Sequence, residues 1–358
     1  MTNVIQPIHI YCLLFLSSSF LAQFILIPTM FSVVERESWI SVLVSLIPTC
    51  LLAILISRIT SSLNNFSFPY FISDYYNKSL YLIILTSYIV YLISSTFITL
   101  KITVIWIDEN FFSEYPYFIT VILFIILCFY GSLKGIKTIA IQSLIIGALF
   151  VVLFVLLNLG NSISNEYELI LPINTDGITS ILWGILYICI GILEFGFILI
   201  VLNGYLKERL KTKGIIALST MLVVLVLITI VTTISEFGIY ITKKMTFPIN
   251  EQWRVLSFGK YFTRMDSLAV FQILSMSFIR VSLFMYIISS FFKNRNFILF
   301  ILYLSLTIGL LIPWSVSNFL SFINRVYLPS IFVFLLIFII VTYVLLKVKG
   351  GQKIDRKW

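Results

Sequence analysis

Apolar residues run along this chain in ten long blocks, near residues 8–34, 38–62, 79–105, 115–131, 138–160, 178–204, 214–235, 267–291, 297–318 and 326–347. Crossing a bilayer takes about 20 mostly apolar residues over roughly 30 Å of hydrocarbon. Each block is about that long and predicts a helix, because a helix satisfies its own backbone hydrogen bonds in lipid. The expected fold is an all-α integral membrane protein of ten transmembrane helices.

The charges between the blocks alternate in sign. With the N-terminus inside, the inner segments hold Arg58, Lys78, Lys134, Lys137, Lys207, Arg209, Lys211, Lys213, Lys293, Arg295, Lys347, Lys349, Lys353, Arg356 and Lys357, 15 basic residues against the three acids Asp74, Glu208 and Asp355. The outer segments hold seven basic residues and 11 acids, among them Asp108, Glu109, Glu114, Glu166, Glu168 and Asp176. Basic residues favour the cytoplasmic side, so both termini are expected there, with 351–358 as a basic cytoplasmic tail. A net charge of +9 therefore follows membrane topology rather than a nucleic-acid surface. The long outer segment 236–266, with five basic residues, fits this alternation least well.

The first block lacks a positive leader and exceeds the length of a cleaved signal core, so it reads as a span. Cys12, Cys50, Cys128 and Cys189 all fall inside blocks, which gives neither a disulfide framework nor metal spacing. His9 sits where the chain enters the membrane and reads as an interfacial side chain. With no nucleophile elbow, phosphate-binding glycine loop or metal cluster, neither an enzyme nor a cofactor is expected.

Two spans look interrupted, as solute-binding helices of transporters often are. The first runs Ser17-Ser18-Ser19-Phe20-Leu21-Ala22-Gln23, with Pro28 beyond. Its hydroxyls can meet a polar ligand, or bond back to their own helix. The sixth runs from Gly184 through Gly191 and Glu194 to Gly196. Its glycines mark a break or close helix packing. Glu194 is an acid deep in a span, where a charge costs at least about 3 kcal/mol unless paired or protonated. Arg280, midway along the eighth span, is its candidate partner, and a ligand carboxylate is the other. Lys101 lies near the outer end of the third span, from which it can snorkel to the surface. Breaks in spans one and six divide the chain into repeat one, about 1–165, and repeat two, about 170–350. Five helices per half make the repeats inverted, with a solute site at their centre.

Residues 247–268 carry the most specific resemblance. Phe247-Pro248-Ile249-Asn250-Glu251-Gln252-Trp253-Arg254-Val255, followed by Tyr261-Phe262-Thr263-Arg264-Met265-Asp266-Ser267-Leu268, resembles the segment before the eighth helix of endospore germination permeases. These are the GerAB-type B subunits of germinant receptors, within the amino acid–polyamine–organocation superfamily. Gly135-Ile136-Lys137-Thr138-Ile139-Ala140, Glu194 ahead of Asn203-Gly204-Tyr205-Leu206-Lys207, and Arg280 before Ser282 resemble further family positions. The resemblance spans essentially the whole chain. The chain departs from the family where a Gly-rich break in helix one is replaced by Leu21-Ala22-Gln23, and where Asn203 stands for a usual Pro.

The resemblance implies a ligand cavity lined by Ala22 and Gln23 on helix one, Tyr91, Leu92 and Ser95 on helix three, Glu194 on helix six, and Arg280 and Phe284 on helix eight. It implies a subunit of the inner endospore membrane that binds a small germinant such as an amino acid. Its partners would be an A subunit thought to form a cation channel and a C-subunit lipoprotein. An ion- or proton-coupled amino acid transporter and a structural subunit that binds no ligand remain open alternatives.

Overall fold

The computed structural model describes residues 5–63, 66–111, 114–163, 165–171, 177–257 and 265–350. Asp176, Tyr261 to Arg264 and the tail 351–358 lie outside the described residues. Ten long helices follow the apolar blocks: α1 (Pro7–Val33), α2 (Ser38–Ser62), α3 (Lys78–Asn110), α4 (Tyr117–Lys134), α5 (Ile136–Asn161), α6 (Ile178–Leu202), α7 (Thr212–Phe237), α8 (Asp266–Ser290), α9 (Arg295–Leu311) and α10 (Val316–Val348). Among the described residues, nine are long and apolar enough to cross a membrane, and α9 falls just short at 17 residues. This is an all-α integral membrane protein.

Burial sorts the helices into a centre and a periphery. In the most apolar stretch of α1 and of α6, 89% of the residues are buried, and in α8 72%, against 33% in α5 and α10. In lipid the polar side chains of a span belong inside the bundle, and the three most buried helices carry Ser17, Glu194 and Arg280. Here α1, α6 and α8 form that inside, and the outer helices turn residues such as Ile47, Ile83, Ile145 and Phe297 outward.

Contacts at the two ends respect the expected alternation. At one end Ile5 pairs with Leu206 as an isolated parallel bridge, and the Arg295 guanidinium donates to the Leu133 carbonyl at 2.6 Å. At the other, Lys243 pairs with Glu35 at 2.9 Å and Arg254 donates to Asn110 at 2.8 Å. The two halves also repeat a device. A Phe-Pro pair opens an eight-residue helix between α2 and α3 (Phe68–Tyr75), and another lies between α7 and α8 (Pro248–Val255, after Phe247). They sit at opposite ends of the bundle.

The expected break in the sixth span does not occur: α6 is continuous through Gly191, Glu194 and Gly196. Its glycines serve packing. A Cβ on Gly196 would lie 2.5 Å from Ile56 Cδ1, and one on Gly184 would lie 2.4 Å from Ser41 Cβ. Both neighbours are on α2, so small residues let α2 and α6 touch closely. In α1 the chain stays helical through Ser17, Ser18 and Ser19, and the irregularity is a π turn at Ala22–Leu26. A second π turn, Ile323–Tyr327, lies in α10. Each is followed at the same distance by a proline, Pro28 and Pro329. A proline ring clashes with the carbonyl four residues back, and a π turn carries that carbonyl aside. Three residues past the first turn, the Thr29 hydroxyl donates to Asn324 Oδ1, within the second, at 2.7 Å.

The tenth helix begins ten residues before the apolar block placed it. Pro313 cannot continue α9, and Ser315 caps α10 by accepting from the Asn318 N–H at 3.4 Å.

Candidate functional site

Arg280 points into the centre of the bundle and is fully buried. A guanidinium has five N–H donors and does not deprotonate, so each donor needs an acceptor in a dry interior. All five find one. Nε donates to Thr99 Oγ1 at 3.0 Å, Nη1 to the Ser17 carbonyl at 2.9 Å and to Ser17 Oγ at 3.3 Å, and Nη2 to Ser95 Oγ at 2.7 Å and Glu194 Oε1 at 2.5 Å. The guanidinium also lies 4.7 Å from the Phe284 ring centroid, a cation–π distance. Four helices thus converge on one charge: α1 through Ser17, α3 through Ser95 and Thr99, α6 through Glu194, and α8 itself. Ser95 and Thr99 are four residues apart and so share one face of α3.

The sequence left Arg280 a choice between Glu194 and a ligand; in the structure it pairs with Glu194. The pair lies where lone charges cost most, and each member neutralises the other. Polar groups of the pair and of α1 are incompletely satisfied. Glu194 Oε2, Ser18 Oγ, Ser19 Oγ and Gln23 Nε2 are buried without a hydrogen-bond partner.

A second layer surrounds the pair. Tyr91, one turn before Ser95, stacks on Phe334 at 5.5 Å and meets Phe197 edge-on at 4.6 Å. Tyr91 and, from the π turn of α10, Tyr327 stand close enough to Glu194 to feel its charge. Leu92 is buried on α3 and Ala22 opens the π turn of α1. Gln23 Oε1 accepts from Gln272 Nε2 at 3.1 Å, and Gln272 Oε1 accepts from Trp253 Nε1 at 2.9 Å. This buried chain ties the short helix Pro248–Val255 to the π turn of α1.

A family model described as "Spore germination protein" matches residues 7–312. The chain belongs to the spore germination protein family. It is 29% identical to "Spore germination protein XB" of Bacillus anthracis over 352 residues, 94% of this chain and 96% of that one. The family match runs from α1 through α9 and contains every group bonded to Arg280.

In this spore germination protein the residues singled out from the sequence fall into two sets. Tyr91, Ser95, Glu194, Arg280 and Phe284 gather at the ion pair, whereas Gln23 bonds to Gln272 about two turns away. Gly191 and Gly196 do not form a break, and Ser18 and Ser19 direct unpartnered hydroxyls into the interior. Lys101 does not snorkel. It is buried, and its ammonium donates to the Tyr117 hydroxyl at 3.2 Å and to the Leu310 and Ile312 carbonyls at 3.0 and 3.4 Å. It closes the end of α9, whose last carbonyls would otherwise lack donors. Sequence reasoning missed Thr99, Gln272, Trp253, Thr29 and Asn324. The four-residue spacing from Ser95 flags Thr99, and Gln272 is an amide about two turns before Arg280. Nothing local marks Asn324 as the partner of Thr29.

Proposed function

We propose that this spore germination protein is the ligand-sensing B-type subunit of a germinant receptor. It takes a small germinant, an amino acid by preference, at the Arg280–Glu194 centre. The carrying observation is a buried ion pair among the central helices, one of whose carboxylate oxygens, Glu194 Oε2, has no hydrogen-bond partner. A zwitterion suits both members: its carboxylate matches the guanidinium and its ammonium matches Glu194. Because every Arg280 donor is engaged, a ligand carboxylate has to displace Ser17, Ser95, Thr99 or Glu194. Binding on this reading is therefore coupled to movement of α1, α3 or α6. The signal passes to a channel-forming A subunit, with a C-subunit lipoprotein completing the receptor in the inner spore membrane. Both termini face the spore core, and the subunit itself performs no catalysis.

The test is germination of spores lacking this subunit, complemented with wild type, Arg280→Ala or Glu194→Gln, across amino acids, nucleosides and sugars, with protein abundance measured alongside. The expected result is loss of response to one germinant class in both variants, beyond what their measured abundance accounts for. Full response in both variants would remove the pocket from the reading.

A second reading, a proton-coupled amino acid transporter, draws on the free Oε2 of Glu194, since membrane carboxylates often carry protons. It requires substrate accumulation in vesicles that collapses with the proton gradient.

A further inference from the structure

The end of the bundle that carries the basic loops contains a cavity of about 260 Å³ with a consistent chemistry. Three remote segments build it: the start of α1 with Gln6 and His9, the start of α5 with Lys137, and Lys207 beyond α6. Lys207 is held in place by backbone pairing, with the Ile5 N–H donating to the Tyr205 carbonyl at 3.2 Å and the Lys207 N–H to the Ile5 carbonyl at 3.0 Å. His9 is held from the other side, as its carbonyl accepts from Ser143 Oγ on α5 at 3.4 Å.

No acid lines this cavity. Lys137 and Lys207 are exposed and form no ion pair among the described residues. His9 Nδ1 is buried without a hydrogen-bond partner. Two lysines, a histidine and a glutamine thus line one space, with no acid among the lining residues. The rim then turns apolar. Ile141 lines the cavity and is 44% exposed, and Ile145, one turn further along α5, is 65% exposed. They continue from the cationic space along the membrane-facing side of the helix.

We propose that this cavity binds the headgroup of an anionic phospholipid, with its phosphate between Lys137, Lys207 and His9 and an acyl chain along Ile141 and Ile145. Basic pockets between helices at the membrane surface recognise phosphate headgroups in this way. The apolar rim decides for a lipid over a free phosphate, which has no use for it. A bound lipid bridges the N-terminal segment, the start of α5 and the loop after α6, so it clamps the end of the central helices α1 and α6. This site is separate from the Arg280 centre and does not depend on the germinant reading.

The experiment uses the full chain, purified in detergent and reconstituted in nanodiscs of phosphatidylcholine alone or with phosphatidylglycerol. Native mass spectrometry counts retained lipids, and thermal unfolding follows stabilisation. Wild type is expected to retain phosphatidylglycerol about 30-fold over phosphatidylcholine, the factor that two surface lysines supply, and to unfold at higher temperature with it. The double variant Lys137→Gln/Lys207→Gln should lose most of that preference while keeping its helical circular dichroism. Lys213→Gln/Lys293→Gln, on the same face outside the cavity, should keep it. Equal retention of both lipids by wild type, equal loss in both double variants, or equal stabilisation by soluble glycerol phosphate would each overturn the proposal.

Discussion

Arg280 uses all five donors inside the protein, and this sets what its replacement does. Arg280→Ala leaves the Glu194 carboxylate buried and unpaired, a change that costs about 3–5 kcal/mol. The expected result is a lowered unfolding temperature in detergent and lower abundance, with Arg280→Ala/Glu194→Gln recovering part of both. If the double variant is no more stable than the single, the pair is not the source of the loss. Arg280→Lys keeps the charge but can fill only three of the five acceptor positions, so it should fall between wild type and Ala. Gln272 is a second test at this scale. Gln272→Leu strands the Trp253 N–H and the Gln23 carbonyl, and each orphaned buried group costs about 1–3 kcal/mol. Unfolding measurements should show that loss, and Trp253→Phe in the same background should restore some of it.

At the scale of the element, the informative features are irregularities and close contacts. Gly196→Val places a branched side chain where a Cβ alone lies 2.5 Å from Ile56, and overpacking of this kind costs about 1–3 kcal/mol. Ile56→Ala should relieve it if contact with α2 is the cause. The π turns make a different prediction. A cysteine pair at positions 29 and 324 should crosslink readily, because the native Thr29 side chain, just past the turn of α1, touches Asn324 in the turn of α10. Adding Pro28→Ala removes the ring that favours the π turn in α1. Return of α1 to regular helix would rotate position 29 by about 100°, and crosslinking should fall. Unchanged crosslinking would mean that packing, not the proline, maintains the turn.

For the whole molecule, the alternation of ends is directly measurable. Single cysteines at Lys207 and Lys293 should label with an impermeant thiol reagent from one side of sealed vesicles, and those at Glu166 and Lys243 from the other. Same-side labelling of Lys207 and Lys243 would break the ten-helix plan. The short helix Pro248–Val255 matters at this scale because its Trp253 reaches the π turn of α1 through Gln272.

The helical spans and the depth of Glu194 and Arg280 within them were legible in the chain by itself, because partition into lipid depends on local composition. The resemblance in 247–268 pointed to the family that the comparison shows. Tertiary structure decided the rest. A glycine in a span signals a break or a close neighbour, and only Ile56 and Ser41 on α2 show which applies to Gly196 and Gly184. Lys101 could snorkel until the end of α9 placed carbonyls around it. Gln23 meets Gln272, and Thr29 meets Asn324, across separations of 249 and 295 residues. Pairings of that kind are set by how helices pack, and no local pattern of apolar and polar residues encodes them.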